Sequence, residues 1–303
     1  MELIRPDINI DFVGKRHIAI GVSWLLILIG IVSLVAKGGP HYGIDFSGGT
    51  LVQAKLASTT GTAELRDALH GLDLKGMTIQ QVGDRGDEFL IRVQESSDKL
   101  ENFATRIQSV LEQRYGSGQV EIRRTEMVGP QVGQDLRGKA MLAVIYAIIG
   151  MLVYITFRFE LRFGVGAVIA LVHDVLITLG VFSVLNLEID LTIIAAFLTI
   201  VGYSVNDTVI VCDRIRDNLG KHSNQKLGWI INRSINETLS RTVMTSGITL
   251  LSVVAMYVFG GEVIRNFSFA LLIGIIVGTY SSIYVAAPVI LYWESYRVSR
   301  KAA

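Results

Sequence analysis

The sequence predicts a polytopic α-helical membrane protein with six transmembrane helices and an α+β, ferredoxin-like (βαββαβ) domain inserted between helices 1 and 2. Three observations lead there. Half of the residues are hydrophobic and only 18% are charged, below the usual ~25% of soluble domains. The apolar residues gather in six windows with few or no charges, each near or above the ~18 residues a span needs. One long connection, 37–139, carries soluble-domain periodicity instead.

The windows run over 18–36, 140–157, 163–185, 191–211, 242–259 and 267–291. The first follows Arg5, Lys15 and Arg16, as a signal peptide would. Its apolar run is long for that role, and Leu34-Val35-Ala36-Lys37 offers no A-x-A cleavage site, so it reads as an uncleaved span. The organisation expected is 1–37 for the N-terminal segment and first helix, 38–138 for the inserted domain, 139–292 for helices 2 to 6, and 293–303 for a tail.

Lys and Arg beside short connections set orientation. Arg5, Lys15, Arg16, Arg158, Arg162, Arg214, Arg216, Lys221, Lys226, Arg233, Arg297, Arg300 and Lys301 fall on one side, and only Arg265 on the other. Both termini and the 4–5 connection are therefore expected in the cytoplasm, and the inserted domain across the membrane.

Within that domain, Thr50–Leu56 alternates Val52, Ala54 and Leu56, a strand. Thr62–Leu72 spaces Leu65, Ala68, Leu69 and Leu72 as one helix face. Thr78–Val82 and Glu88–Val93 flank Gly83-Asp84-Arg85-Gly86-Asp87, a hairpin. Asp98–Tyr115 repeats Leu100, Phe103, Ala104, Ile107 and Leu111 and stops at Gly116, and Gln119–Met127 returns as a strand. The order βαββαβ is that of a ferredoxin-like sandwich, which by itself assigns no function.

Two Gly-rich segments tie the domain to its flanking helices. One holds Asp45, Gly48 and Gly49, the other Gly129, Pro130 and Gly133. They read equally as turns or as hinges.

Inside the windows only Asp174 and Asp207 are charged, with Arg241 at the edge of window 5. A carboxylate near a helix centre costs at least ~2.5–3.5 kcal/mol on insertion scales, so it needs a partner or a task. Asp207 has Tyr203, Ser204, Asn206 and Thr208 nearby, and Tyr203 and Ser204 share its helix face. Arg241 enters at similar depth, so an Asp207–Arg241 pair is expected, either as a proton switch or as a static ion pair. Asp174 follows His173 directly, and the two could form a relay; neighbours in a helix point to different faces, so a packing role, or one in support of Asp207, is the expectation for Asp174. Ala270, Gly274, Gly278 and Ser282 recur every four residues, a face for close helix packing.

Several chemistries are excluded. The net charge of +1 gives no field for nucleic acid. The chain carries no GxxxxGK[ST], HExxH or GxSxG motif, and its single cysteine, Cys212, builds no zinc site. No enzymatic activity, metal or cofactor is expected. The sequons Asn206-Asp207-Thr208, Asn232-Arg233-Ser234 and Asn266-Phe267-Ser268 read as chance.

The motifs together resemble the SecD/SecF family of protein-export membrane proteins, within the resistance–nodulation–division superfamily. The resemblance covers nearly the whole chain. It rests on Gly43-Ile44-Asp45-Phe46-Ser47-Gly48-Gly49-Thr50, Val128-Gly129-Pro130-Gln131-Val132-Gly133, and Ala170-Leu171-Val172-His173-Asp174. Gly202-Tyr203-Ser204-Val205-Asn206-Asp207-Thr208 and Arg241-Thr242-Val243-Met244-Thr245-Ser246-Gly247 complete it. The family resemblance implies a bacterial inner-membrane protein that uses the proton motive force, with a SecD half, to promote late ATP-independent export of unfolded preproteins through SecYEG. Its inserted domain would be periplasmic, and lipid would surround the helices. The family's proton-pathway residues map onto Asp207 and Arg241. A stand-alone proton-coupled small-molecule transporter and a passive assembly subunit are the alternatives.

Overall fold

The computed structural model describes residues 8–72, 77–83, 85–93 and 103–302. The chain divides into two compact units, Met1–His41 with Leu142–Ala303, and Tyr42–Met141.

The smaller unit begins with a short helix, α2 (Ile44–Ser47), after α1 (Arg16–Ala36) of the larger unit. There follow β1 (Gly49–Leu56), α3 (Thr62–Leu69), β2 (Thr78–Val82), β3 (Glu88–Val93), α4 (Phe103–Tyr115) and β4 (Val120–Val128). The four strands pair antiparallel throughout, in the order β2-β3-β1-β4. The period-2 pattern puts Val52, Ala54 and Leu56 of β1 and Phe89, Ile91 and Val93 of β3 on one face. Leu65 and Leu69 of α3 and Phe103, Ile107 and Leu111 of α4 cover that face, closing one apolar core. The helix expected over Thr62–Leu72 ends its α-helical part at Leu69 and tightens into a 3₁₀ turn, His70–Leu72. The expected start of the second helix, including Leu100, and Asp84 in the hairpin turn lie outside the described residues.

The two Gly-rich segments meet inside this unit. Gly48 has φ +72°, and a Cβ there would lie 2.7 Å from Pro130 Cα. A Cβ on Gly133 would lie 3.0 Å from the Gly48 nitrogen and 3.2 Å from the Phe46 carbonyl. Beside them, the Arg137 guanidinium stacks 4.3 Å from the Tyr42 ring centroid. Asp45 stands in the first turn of α2. The segments therefore form one close backbone crossing, beside the last β1–β4 pair, Gly49 with Val128.

Helix α5 (Pro130–Arg158) leads into the larger unit, followed by α6 (Leu161–Val184), α7 (Leu191–Lys221), α8 (Leu227–Phe259), α9 (Glu262–Ser281), a π-helical turn (Ser282–Ala286) and α10 (Ala287–Ala302). Among the described residues six helices are long and apolar enough to cross a membrane: α1, α5, α6, α7, α8 and the run Ile264–Tyr296. Each window read from the sequence falls on one of them. Large apolar side chains such as Trp24, Leu28, Tyr146, Val153, Ile248 and Leu251 are exposed, as a lipid-facing surface allows.

The helices outrun the windows where α7 and α8 join. That region is a helical hairpin: Asn218 donates to Ser234 Oγ and Glu237 Oε2, and Arg214 and Arg233 pair with Glu237 at 2.7 and 2.8 Å. Residues 10–12 dock on it. The Asn236 and Asn232 side chains accept from the N–H groups of Ile10 and Phe12, at 2.8 Å each, and both donate to the Ile10 carbonyl. Further along, α1 lies against α6 where Gly30 faces Gly180, so closely that a Cβ on Gly30 would fall 2.7 Å from the Gly180 Cα. Ser33 and Ser183 hydroxyls meet at 2.8 Å beside that crossing.

The backbone crossing of the smaller unit gives a direct stability test. Gly48→Ala should lower the thermal midpoint of the full chain in detergent, since backbone at φ +72° and ψ 168° costs an L-residue on the order of 1–3 kcal/mol and the methyl meets Pro130. Gly129→Ala, where a Cβ meets nothing and φ is ordinary, should leave it unchanged. Equal midpoints for the two variants would mean the crossing opens without cost.

Candidate functional site

Asp207 sits on α7 with 1% of its surface exposed. Its Oδ2 accepts from Ser246 Oγ of α8 at 2.9 Å and from Thr279 Oγ1 of α9 at 3.3 Å. Thr279 also donates to Ser246 at 2.8 Å, so its single proton serves two acceptors. Asp207 Oδ1 has no hydrogen-bond partner among the described residues, and neither do the buried Tyr203 hydroxyl and Thr242 Oγ1. Tyr203 precedes Asp207 by one turn on α7, and Thr242 precedes Ser246 by one turn on α8. The two helices run antiparallel, as the pairs Asp207–Ser246 and Asn218–Ser234 require. The unpartnered groups therefore stand one turn to either side of the carboxylate. Buried polar atoms of this kind are ordinarily satisfied by internal water.

The expected ion pair is absent. Arg241 is exposed and makes no ion pair with Asp207, although it is near enough for the two charges to interact. The reason is angular. Arg241 lies five residues before Ser246 on α8, which turns it roughly 140° away from the face that reaches Asp207. Thr242 and Ser246 occupy that face. Arg241 instead lines a cavity of about 510 Å³ at the joined end of α7 and α8, with Arg158, Asp213, Asp217 and Glu237.

Asp174 on α6 is wholly buried. Its Oδ2 accepts from Ser204 Oγ of α7 at 2.6 Å and from Ser281 Oγ, the last residue of α9, at 2.9 Å. Its Oδ1 lies 2.9 Å from His173 Nδ1. The expectation that His173 and Asp174 diverge is thus corrected. Their Cα–Cβ bonds do leave the helix about 100° apart, but both side chains are long enough to turn back and meet. His173 Nε2 continues to Ser23 Oγ of α1 at 3.0 Å.

Of the residues read as supports for Asp207, Ser204 instead serves Asp174, and Thr208 Oγ1 returns to the Ser204 carbonyl at 3.2 Å. Asn206 faces away from the bundle, exposed. Ala270, Gly274, Gly278 and Ser282 are buried. A Cβ on Gly274 would strike Ile200, and one on Gly278 would come within 3.0 Å of Ser204 Cβ, so α9 runs against α7 of the same chain at the level of both carboxylates.

Sequence reasoning missed Ser23, Ser246, Thr279 and Ser281. For Thr279 and Ser281 the signal was a hydroxyl run, Thr279-Tyr280-Ser281-Ser282, inside an otherwise apolar window. It missed Asn232 and Asn236 too, having set the first aside as a chance sequon. Among the described residues no three His, Cys, Asp or Glu side chains group as a metal site would require.

Comparison with known proteins places this architecture. Residues 107–296 match the family described as protein export membrane protein SecD/SecF, C-terminal, and residues 32–60 match the SecD/SecF GG motif. The protein translocase subunit SecF of Calditerrivibrio nitroreducens is 45% identical over 300 residues, covering 98% of both chains. That of Desulfurispirillum indicum is 46% identical over 293 residues, covering 94% of this chain and 92% of its own. The crystal structure of SecDF, a translocon-associated membrane protein from Thermus thermophilus, superposes with a TM-score of 0.86 at 38% identity, over 97% of this chain and 40% of that longer one. With its apolar helices and full-length relatives, the chain is a multi-pass membrane protein belonging to the SecD/SecF family.

Proposed function

We propose that this chain is an accessory subunit of the bacterial Sec export machinery and that Asp207 is its proton carrier. The observation that carries the reading is a carboxylate buried in the bundle with one oxygen held by two hydroxyls and the other free. A static ion pair would have its cation in contact. Here the carboxylate's free oxygen can take a proton, and the orphaned Tyr203 and Thr242 hydroxyls mark where water would carry it in and out.

Arg241 then acts from the cavity beside it. Swinging toward Asp207, its guanidinium would hold the deprotonated form; withdrawn, as in this structure, it leaves the carboxylate to the hydroxyls. Moving one charge through ~100 mV is worth about 2.3 kcal/mol, enough to shift a two-state helix arrangement some fiftyfold. The motion would pass along α1 and α5 to the smaller unit, a ferredoxin-like domain on the periplasmic face with Asp45, Gly48, Gly49, Gly129, Pro130 and Gly133 at its attachments. SecD would supply the complementary half, and the work would go to unfolded preproteins leaving SecYEG in late, ATP-independent steps. Nothing in the site would engage nucleic acid.

The orientation behind this scheme rests on the Lys and Arg bias. In intact cells with a permeabilised outer membrane, an impermeant thiol reagent should label Arg85→Cys and spare Lys221→Cys. Both positions are exposed, and the native Cys212 is buried. Labelling at position 221 alone would reverse the topology.

The proton role is tested in proteoliposomes holding the complex with SecD. Asp207→Asn should assemble normally, because it removes a buried charge and keeps an acceptor for Ser246 and Thr279. Proton flux and gradient-dependent completion of export should fall on the order of a hundredfold, the weight of a lost proton-transfer group. Arg241→Lys keeps the charge without the planar fork and should land between. Wild-type export by an assembled Asp207→Asn complex would reduce the site to a structural one.

A further inference from the structure

The last turn of α9 sends three consecutive side chains to three helices. Thr279 reaches Asp207, Ser281 reaches Asp174, and Tyr280, between them, turns to α1. Consecutive residues point about 100° apart, which allows this divergence. The π-helical turn that follows, Ser282–Ala286, belongs to a class that recurs at functional places.

The Tyr280 branch closes a chain of four contacts. Tyr280 Oη donates to the Ala19 carbonyl at 2.7 Å. Ser23 Oγ lies 3.2 Å from Tyr280 Oη. His173 Nε2 lies 3.0 Å from Ser23 Oγ, and His173 Nδ1 lies 2.9 Å from Asp174 Oδ1. The Ala19 carbonyl only accepts, so the Tyr280 proton is spent there. The Ser23–Tyr280 contact must then use the Ser23 proton. Ser23 has only one, so Nε2 must donate to Ser23. If the neutral imidazole carries its single proton on Nε2, Nδ1 is a bare acceptor facing Asp174 Oδ1. With an ionised Asp174 that fourth contact would set lone pair against lone pair. Four contacts need four hydrogens, and Tyr280, Ser23 and a neutral His173 supply three.

We propose that His173 and Asp174 together hold one proton beyond a neutral imidazole and an ionised carboxylate, as an imidazolium–carboxylate pair or as Nε2–H imidazole with a protonated acid. This is a second proton-binding site, separate from Asp207, and it governs the link between α6, α1 and α9. With the proton bound, all four contacts hold. When it leaves, Nδ1–H turns to the carboxylate, Ser23 must donate to Nε2, and Tyr280 keeps only one of its two contacts, to Ser23 or to the Ala19 carbonyl. Tyr280 is here a positioning residue. Besides Asp174, the titratable groups that the described residues place near His173 include three tyrosines: Tyr280, whose ring lies 6.2 Å from the imidazole, Tyr284, 5.1 Å from Tyr280, and Tyr292, which lines the same groove. No Lys or Arg among the described residues is bonded to the His173–Asp174 pair, so no fixed cation supplies the missing charge. The inference does not depend on the role of Asp207.

The state of His173 Nε2 is directly measurable. The full chain with its partner half, labelled with ¹⁵N-histidine and reconstituted in lipid, gives imidazole nitrogen resonances, and His173→Gln identifies the one in question. At neutral pH the Nε2 signal should lie in the protonated range. Ser23→Ala and Tyr280→Phe each cut the chain and remove the need for the fourth hydrogen; in both, the signal should move to the bare-nitrogen range, with the imidazole proton on Nδ1. Two variants are included so that one failing to fold leaves the other. A bare Nε2 in the wild type would overturn the proposal. So would a protonated Nε2 that persists in the folded variants, because the proton would then belong to the pair regardless of α1.

Discussion

In a bundle that faces lipid, Asp174 and Asp207 cannot be solvated from outside, so the protein must bring hydroxyls to them. Each carboxylate is met from two other helices: Asp207 by Ser246 and Thr279, Asp174 by Ser204 and Ser281. Much else in the larger unit follows from that requirement. Short Ser and Thr side chains reach across only if helix axes are close, and Gly274 and Gly278 permit α9 to lie against α7 at that level. The small-residue face is therefore the geometric condition for satisfying both acids.

The two acids are satisfied to different degrees. Every oxygen of Asp174 has a partner, in a shell drawn from its own helix, α7 and α9. Asp207 keeps one oxygen open, flanked by further buried hydroxyls without partners. A half-bonded acid can change protonation without dismantling its packing, whereas a change at a fully bonded one must rearrange its neighbours. Hydroxyls suit such a site because they donate or accept as the charge changes.

The fold was largely legible because it depends on periodicity and on lengths. Charge-free windows mark the helices, and the alternation of Val52, Ala54 and Leu56 against the spacing of Phe103, Ile107 and Leu111 marks the sheet and its covering helix. What periodicity cannot convey is which face of one helix meets which face of another. Pairing Asp207 with Arg241 followed from depth alone, and depth says nothing of the rotation that puts Thr242 and Ser246 on the facing side. Treating adjacent His173 and Asp174 as divergent used backbone directions and ignored side-chain reach. Thr279 and Ser281 escaped notice because a hydroxyl on a helix is common and can bond its own backbone. The hairpin of α7 and α8 was read as a loop because Arg and Glu are polar there, yet they pair along its surface.

The asparagine clasp at the start of the chain constrains movement. Asn232 and Asn236 grip main-chain atoms of Ile10, Phe12 and Val13, so the hydrogen bonds of the hold are sensitive to register. A slip of one residue would exchange a donor for a mismatch. Four residues after Phe12, α1 begins. Its near end is thus pinned to α8, and axial sliding would break the grip while tilting would not. Whatever drives α1 can use it as a lever about a fixed pivot, and not as a piston.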